Sequence, residues 1–95
     1  MTRCVFSRLA EDDLEAIVDY IAHDNPRRAL SFVRDMLDRC QVIVQNPKAA
    51  PLRPELGRGV RMVVFRDYLI FYRHSQGQVI IERVLHGARD IRGLL

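Results

Sequence analysis

The stretch from Val60 to Leu85, VRMVVFRDYLIFYRHSQGQVIIERVL, constrains the fold more than any other part of the chain. Three apolar runs, Val60 to Phe65, Tyr68 to Arg73 and Val79 to Leu85, are rich in Val, Ile, Phe and Tyr. They are separated by turn-length gaps at Arg66-Asp67 and Gln76-Gly77, which predicts a two-hairpin antiparallel meander. Each run carries one arginine, Arg61, Arg73 or Arg83, and guanidinium groups are rarely left unpaired inside a core. With two-residue turns, Arg61 lies opposite Tyr72, Ile70 opposite Arg83, and Val60 opposite Arg73. Side chains directly opposite share a face. One face then carries Arg61, Tyr72 and Arg83 among Val63, Phe65, Tyr68, Ile70 and Ile81. The other carries Val60, Met62, Val64, Leu69, Phe71, Ile80 and Val84, with Arg73 diagonal to Glu82. The second face reads as core with one ion pair, and the first as a surface for an anionic or apolar partner. A three-residue turn would invert a strand, because register has period two.

The first half reads as helical. Arg3 to Phe6 is a short β-prone run ending at Ser7, a candidate helix cap, and Glu11, Asp12 and Asp13 suit a first helical turn. Leu14, Ile17, Val18 and Ile21 recur at i, i+3, i+4 and i+7, predicting a helix over about Ala10 to Ala22. Asn25-Pro26 ends it and caps the next, since proline suits the first helical position. Phe32, Val33, Met36, Leu37, Cys40, Ile43 and Val44 form the buried stripe of that second helix, with Arg34–Asp38 and Asp35–Arg39 as i,i+4 pairs outside. Asn46-Pro47 ends it. A linker broken by Pro51, Pro54, Gly57 and Gly59 follows, with Lys48, Arg53 and Arg58 over one end of the sheet. After His86-Gly87-Ala88-Arg89-Asp90 there is room for a short terminal turn or helix. The expected architecture is a single two-layer α+β domain over residues 1–95: an N-terminal strand and helical hairpin packed on an antiparallel meander.

Composition excludes several classes. No apolar run approaches the length of a membrane span, and the N-terminus lacks the apolar region of a signal peptide, so a cytoplasmic protein is expected. Cys4 and Cys40 are far apart in sequence and cluster with no His, so no disulfide framework, metal site or cofactor is expected. They read as two buried small hydrophobes. The net charge of +3 comes from fourteen arginines and Lys48, which favours carboxylate or phosphate contacts without demanding nucleic acid.

An ordered set of residues carries a resemblance: Ala10 with Asp13-Leu14 and Ile17; Asp19-Tyr20-Ile21; Asn25-Pro26 with Ala29; Asn46-Pro47; Arg61; Tyr68 with Ile70-Phe71-Tyr72-Arg73; and Arg83-Val84-Leu85-His86-Gly87-Ala88-Arg89-Asp90. Over nearly its whole length the chain resembles the ParE branch of the ParE/RelE toxins of bacterial toxin–antitoxin pairs. The resemblance implies a toxin, linked to plasmid or genome stability, that inhibits DNA gyrase by direct contact. It also implies a hetero-oligomer with a small, acidic-tailed, DNA-binding antitoxin, which would make most of the DNA contact. On this reading Arg61, Arg83, His86, Arg89, Asp90, Leu94 and Leu95 are candidates for target contact. Tyr20, Val42, Arg61, Phe65, Tyr72 and Arg83 are candidates for the antitoxin.

The RNA-cleaving relatives provide the alternative, a ribosome-dependent, metal-independent endoribonuclease. Arg61 or Arg83 would stabilise the phosphorane, and His86 or Tyr72 would carry protons. The tail after His86 holds no Tyr or His, and Lys48 is the chain's one lysine, so the non-hydrolytic reading is preferred. Simpler readings stand beside these: Arg61 and Arg83 as structural ion pairs, His86 as a packed strand end, and Tyr20 and Val42 as ordinary surface. A toxin that has lost activity but still binds its antitoxin is a third possibility. An apolar sheet face studded with arginines also predicts self-association of the isolated protein.

Overall fold

A computed structural model of the protein describes residues 2–89. Its elements are β1 (Arg3–Phe6), α1 (Arg8–Asp24), α2 (Pro26–Gln45), a 3₁₀ turn (Pro54–Leu56), β2 (Arg61–Phe65), β3 (Tyr68–Ser75) and β4 (Gln78–His86). The four strands form one open sheet in the order β1-β4-β3-β2. Both hairpin turns have the expected two residues, since Phe65 pairs with Tyr68 and Ser75 with Gln78. The α+β arrangement and the meander are as expected, but the sheet is mixed, because β1 runs parallel to β4 from Arg3–Gln78 to Phe6–Ile81. Parallel neighbours need a long crossover, and the helical hairpin begins it.

Local chemistry explains the helix ends. The Ser7 hydroxyl accepts from the Ala10 amide at 3.1 Å and donates to the Glu82 carbonyl at 2.8 Å, capping α1 and tying its start to β4. α1 therefore starts at Arg8, earlier than expected, and Glu11 alone of the three acids lies in its first turn. Asn25 closes α1 through its backbone N–H to the Ile21 carbonyl, and its side chain accepts from the Arg28 amide to open α2. In α2 the buried stripe is Ala29, Phe32, Met36, Cys40 and Ile43, with Leu37 left exposed. Asp35 pairs with Arg66, and Arg39 donates to the Val64 carbonyl at 2.8 Å, so two residues of the expected outer pairs turn to β2 and its hairpin instead.

The sheet faces are the reverse of the expectation. The main core joins Phe65, Ile70, Tyr72, Val79, Ile81 and Val84 of the sheet to Phe32, Met36, Cys40 and Ile43 of α2 and Ala10 of α1. The face bearing Phe65 and Tyr72, expected to stay open, is thus the one the helices cover. The far face carries a smaller cluster of Val60, Phe71 and Leu85, against which Leu56 of the linker packs. The difference arises because the cost of burying a guanidinium does not by itself decide which face is covered. Long side chains can leave their stems on a core face while their polar tips reach backbone carbonyls at its margin.

A bulge compounds the difference. Tyr72 pairs with Ile81 but Phe71 pairs with Arg83, leaving Glu82 as an extra residue in β4. Ile70 consequently meets Val84 rather than Arg83, and Val84 joins the main core while Leu85 joins the far cluster. The Arg73–Glu82 ion pair does form, at 3.5 Å, but both side chains are about a third exposed rather than set inside the core.

Candidate functional site

Arg61, Tyr72 and Phe65 are structural in their contacts. The Arg61 guanidinium donates to the carbonyls of Lys48 at 3.1 Å and Ala50 at 2.6 Å, and the Tyr72 hydroxyl donates to the Pro47 carbonyl at 2.8 Å. Together they hold the exit of α2 against the β2–β3 hairpin and satisfy linker carbonyls. Tyr72 is 1% exposed, and burial pushes its hydroxyl above the usual tyrosine range. Phe65 is buried edge-on to Phe32, with the guanidinium groups of Arg39 and Arg66 5.6 and 5.5 Å from its ring centre.

Arg83 is bound as a fork to α1: its Nε and Nη2 donate to Asp13 at 2.8 and 2.9 Å, and the Val84 amide donates to the same carboxylate at 3.0 Å. Both side chains are 12% exposed. The Asp13 hydrogen bonds hold Arg83 still more firmly protonated than usual. Asp13 was not singled out for this role, and no local sequence signal links residues seventy positions apart.

What stays open is a groove of about 510 Å³ between α1 and the end of the sheet. Ile17, Val84 and Leu85 give it apolar walls, and Asp13, Tyr20, Asp67, Tyr68, His86 and Arg89 give it polar ones. The bulge creates this grouping, because it sets Tyr68 directly opposite His86, whose rings meet edge-to-face at 5.4 Å. The Asp67 carbonyl accepts from the Gly87 amide at 2.8 Å and fixes the first hairpin beside the end of β4. Desolvation, helped by the neighbouring Asp67 and Tyr20, raises the Tyr68 hydroxyl and keeps it a donor. His86 Nδ1 accepts from the Ala88 amide at 3.1 Å, a contact that leaves the ring's Nε2–H unspent. The groove therefore offers hydroxyl, imidazole and guanidinium donors above an apolar floor, a chemistry of recognition.

Of the predicted residues, Tyr20, His86 and Arg89 come together in this groove, and Tyr20 is 76% exposed. Val42 is exposed on α2, beside Asp35, Asp38, Arg39, Phe65 and Arg66. Asp90, Leu94 and Leu95 lie outside the described residues. Tyr68, expected on the partner-facing side of the sheet but not among the candidate contact residues, joins this groove because the bulge sets it opposite His86 rather than Leu85. A second groove, lined by Val5, Phe6, Leu14, Val18, Val33 and Leu37 and edged by Glu11, Glu15 and Asp19, runs where β1 meets both helices.

Comparison with known proteins bears on the fold and the family. A family model described as the ParE toxin of the type II toxin–antitoxin system, parDE, matches residues 4–91. Among solved structures, a chain of the chromosomal ParDE toxin–antitoxin system from P. aeruginosa superposes with a TM-score of 0.76 at 25% identity, over 90% of this chain and 95% of that one. No curated protein matches.

Proposed function

Because the chain belongs to the family of ParE toxins of type II toxin–antitoxin systems, we propose that it acts by binding, inhibiting DNA gyrase through direct contact, and that a cognate antitoxin neutralises it. The observation that supports binding over bond cleavage is the dispersal of the side chains a nuclease would need. Arg61 sits opposite Tyr72 and His86 opposite Tyr68, so they flank β3 from opposite sides, four residues out of step. That offset is about 13 Å along the strand alone, too far for both to reach one phosphate. Arg61 and Tyr72 are spent on linker carbonyls and Arg83 on Asp13. The Nδ1 lone pair of His86 is spent on the Ala88 amide.

The Tyr20–Tyr68–His86–Arg89 groove is the proposed target contact. The antitoxin is proposed to lie on the helical hairpin, where Tyr20 and Val42 are exposed and Arg27, Arg28 and Arg34 stand free in solvent to meet acidic side chains. Purified protein added to gyrase should block supercoiling or trap cleaved DNA, and Arg89→Ala with His86→Ala should weaken the effect. No effect at excess toxin, or prompt cleavage of translated messenger RNA on induction, would replace this reading with the nuclease one.

A further inference from the structure

The two edges of the sheet are finished differently. The β2 edge is guarded: the Met62 amide donates to the Pro51 carbonyl at 3.4 Å, the Val60 carbonyl accepts from the Arg53 amide at 2.7 Å, and the Val64 carbonyl accepts from the Arg39 guanidinium at 2.8 Å. The β1 edge is open. Its ladder to β4 uses alternate residues, with the Arg3 amide donating to the Gly77 carbonyl at 3.0 Å and the Ser7 amide to the Ile81 carbonyl at 2.9 Å. The residues between turn their backbone groups the other way. The N–H and C=O of Cys4 and of Phe6 therefore face outward, and among the described residues they meet no hydrogen-bond partner. An edge strand left in this state is a template for another strand. We propose that it is a homodimer interface, in which β1 of one copy pairs antiparallel with β1 of a second copy about a two-fold axis through Val5.

The strand is complementary to itself. An axis at Val5 sets Cys4 opposite Phe6 of the partner subunit, so that every outward N–H meets an outward C=O. Val5 meets Val5 of the partner subunit in the close, non-hydrogen-bonded position, a favourable place for β-branched side chains. Charge selects the same occupant. β1 opens on exposed Arg3 and runs through Ser7 into α1, where exposed Glu11 and Glu15 edge the apolar groove. Among the described residues none of these three charges has an ion-pair partner. Antiparallel pairing sets Arg3 opposite Ser7 of the partner subunit, one helical turn from the unpaired acid at its Glu11. An acidic segment, such as the tail expected of the antitoxin, would meet like charge there instead. A four-residue strand alone offers little area, and the groove supplies the rest. Both helical layers lie on the same side of the continuous sheet, and the groove walls formed by Leu14, Val18, Val33 and Leu37 turn toward the axis. Leu37, 51% exposed in the single chain, is covered by this arrangement.

The test is sedimentation equilibrium of the full, reduced chain. The expected result is twice the 11.0 kDa of one chain at micromolar concentrations, falling on dilution. Val5→Lys sets two like charges against each other on the axis and should return the mass to that of a single folded chain. Arg3→Glu should weaken the dimer, and adding Glu11→Arg should restore it. This exposed pair also serves as the test if Val5→Lys fails to fold. For register, Val5→Cys in a Cys4→Ser background should cross-link to its own copy under mild oxidation, because only a residue on the axis meets itself. A single-chain mass throughout, a dimer indifferent to both Val5→Lys and Arg3→Glu, or no cross-link at Val5→Cys would overturn the proposal. Loss of antitoxin binding in Arg3→Glu, with no dimer in the free chain, would overturn it in favour of the antitoxin as the strand's partner.

Discussion

Asp13 accepts three hydrogen bonds at once, two from the Arg83 fork and one from the Val84 amide, and so joins α1 to the bulged part of β4. Removing one member of a largely covered pair costs more than the pair contributes, because the remaining charge keeps its desolvation penalty. Asp13→Ala is expected to lose about 3 kcal/mol in urea unfolding, with Asp13→Asn losing less. A loss within the range of surface substitutions would show that the fork is not structural. Tyr72 gives a pH signature. Burial, only partly offset by Arg61, raises its folded pKa above the ordinary 10.0, and Tyr68 moves the same way. Above pH 10 or so the unfolded chain loses these protons first. Stability is therefore complete below that pH and falls as pH rises through the folded values. Denaturant midpoints across this alkaline range should decline less steeply in Tyr72→Phe, although that variant starts lower at neutral pH without the Pro47 hydrogen bond.

Among the elements, the two hairpin turns have equal length but different solutions to positive φ. Gln76 and Gly77 have φ of 51° and 74°, the paired left-handed conformation that asparagine-glycine adopts best. Gln76→Asn should therefore raise the melting temperature by a few degrees, and an unchanged value would show that Gln76 pays no backbone strain. Arg66, at φ 55°, is held by its ion pair with Asp35 and by the rings of Phe32 and Phe65. Arg66→Gly should relax the backbone yet destabilise the protein overall, because it removes those contacts between the hairpin and α2. The opposite signs of these two substitutions in thermal melts form one test. Turn length was legible in the sequence, since each gap is two residues between apolar runs. The bulge at Glu82 was not, because nothing local distinguishes an extra strand residue from a paired one; it is stabilised by Asp13, Ser7 and the β1 pairing, all distant in sequence.

For the whole molecule, the helical hairpin leaves Tyr20, Leu30 and Val42 exposed, and the sheet's edge strand leaves Val64 exposed. Exposed apolar surface of this kind favours association. Sedimentation of the isolated protein should show concentration-dependent self-association, and the proposed antitoxin should raise the melting temperature by mass action. A monomer whose melting temperature ignores that partner would contradict the proposed docking on the hairpin. The site itself was legible only in pieces. Tyr20, His86 and Arg89 stood out as residues, but their meeting with Tyr68 depends on the bulge and on α1 crossing β4. Arg61 and Tyr72 stood out too, and in the fold they brace the α2 exit.

By itself the sequence determined the kind, order and approximate extent of the elements, the caps at Ser7 and Asn25, the two-residue turns and the resemblance to the toxin family. Those signals act over a few residues, where a capping oxygen, a proline ring or a turn length is decided by near neighbours. Only the tertiary structure decided which sheet face is covered, that β1 joins the sheet beside β4, and that Arg83 belongs to Asp13. Each of these depends on partners supplied from distant parts of the chain, and a guanidinium, hydroxyl or thiol in an apolar row does not reveal in advance which backbone carbonyl or carboxylate will satisfy it.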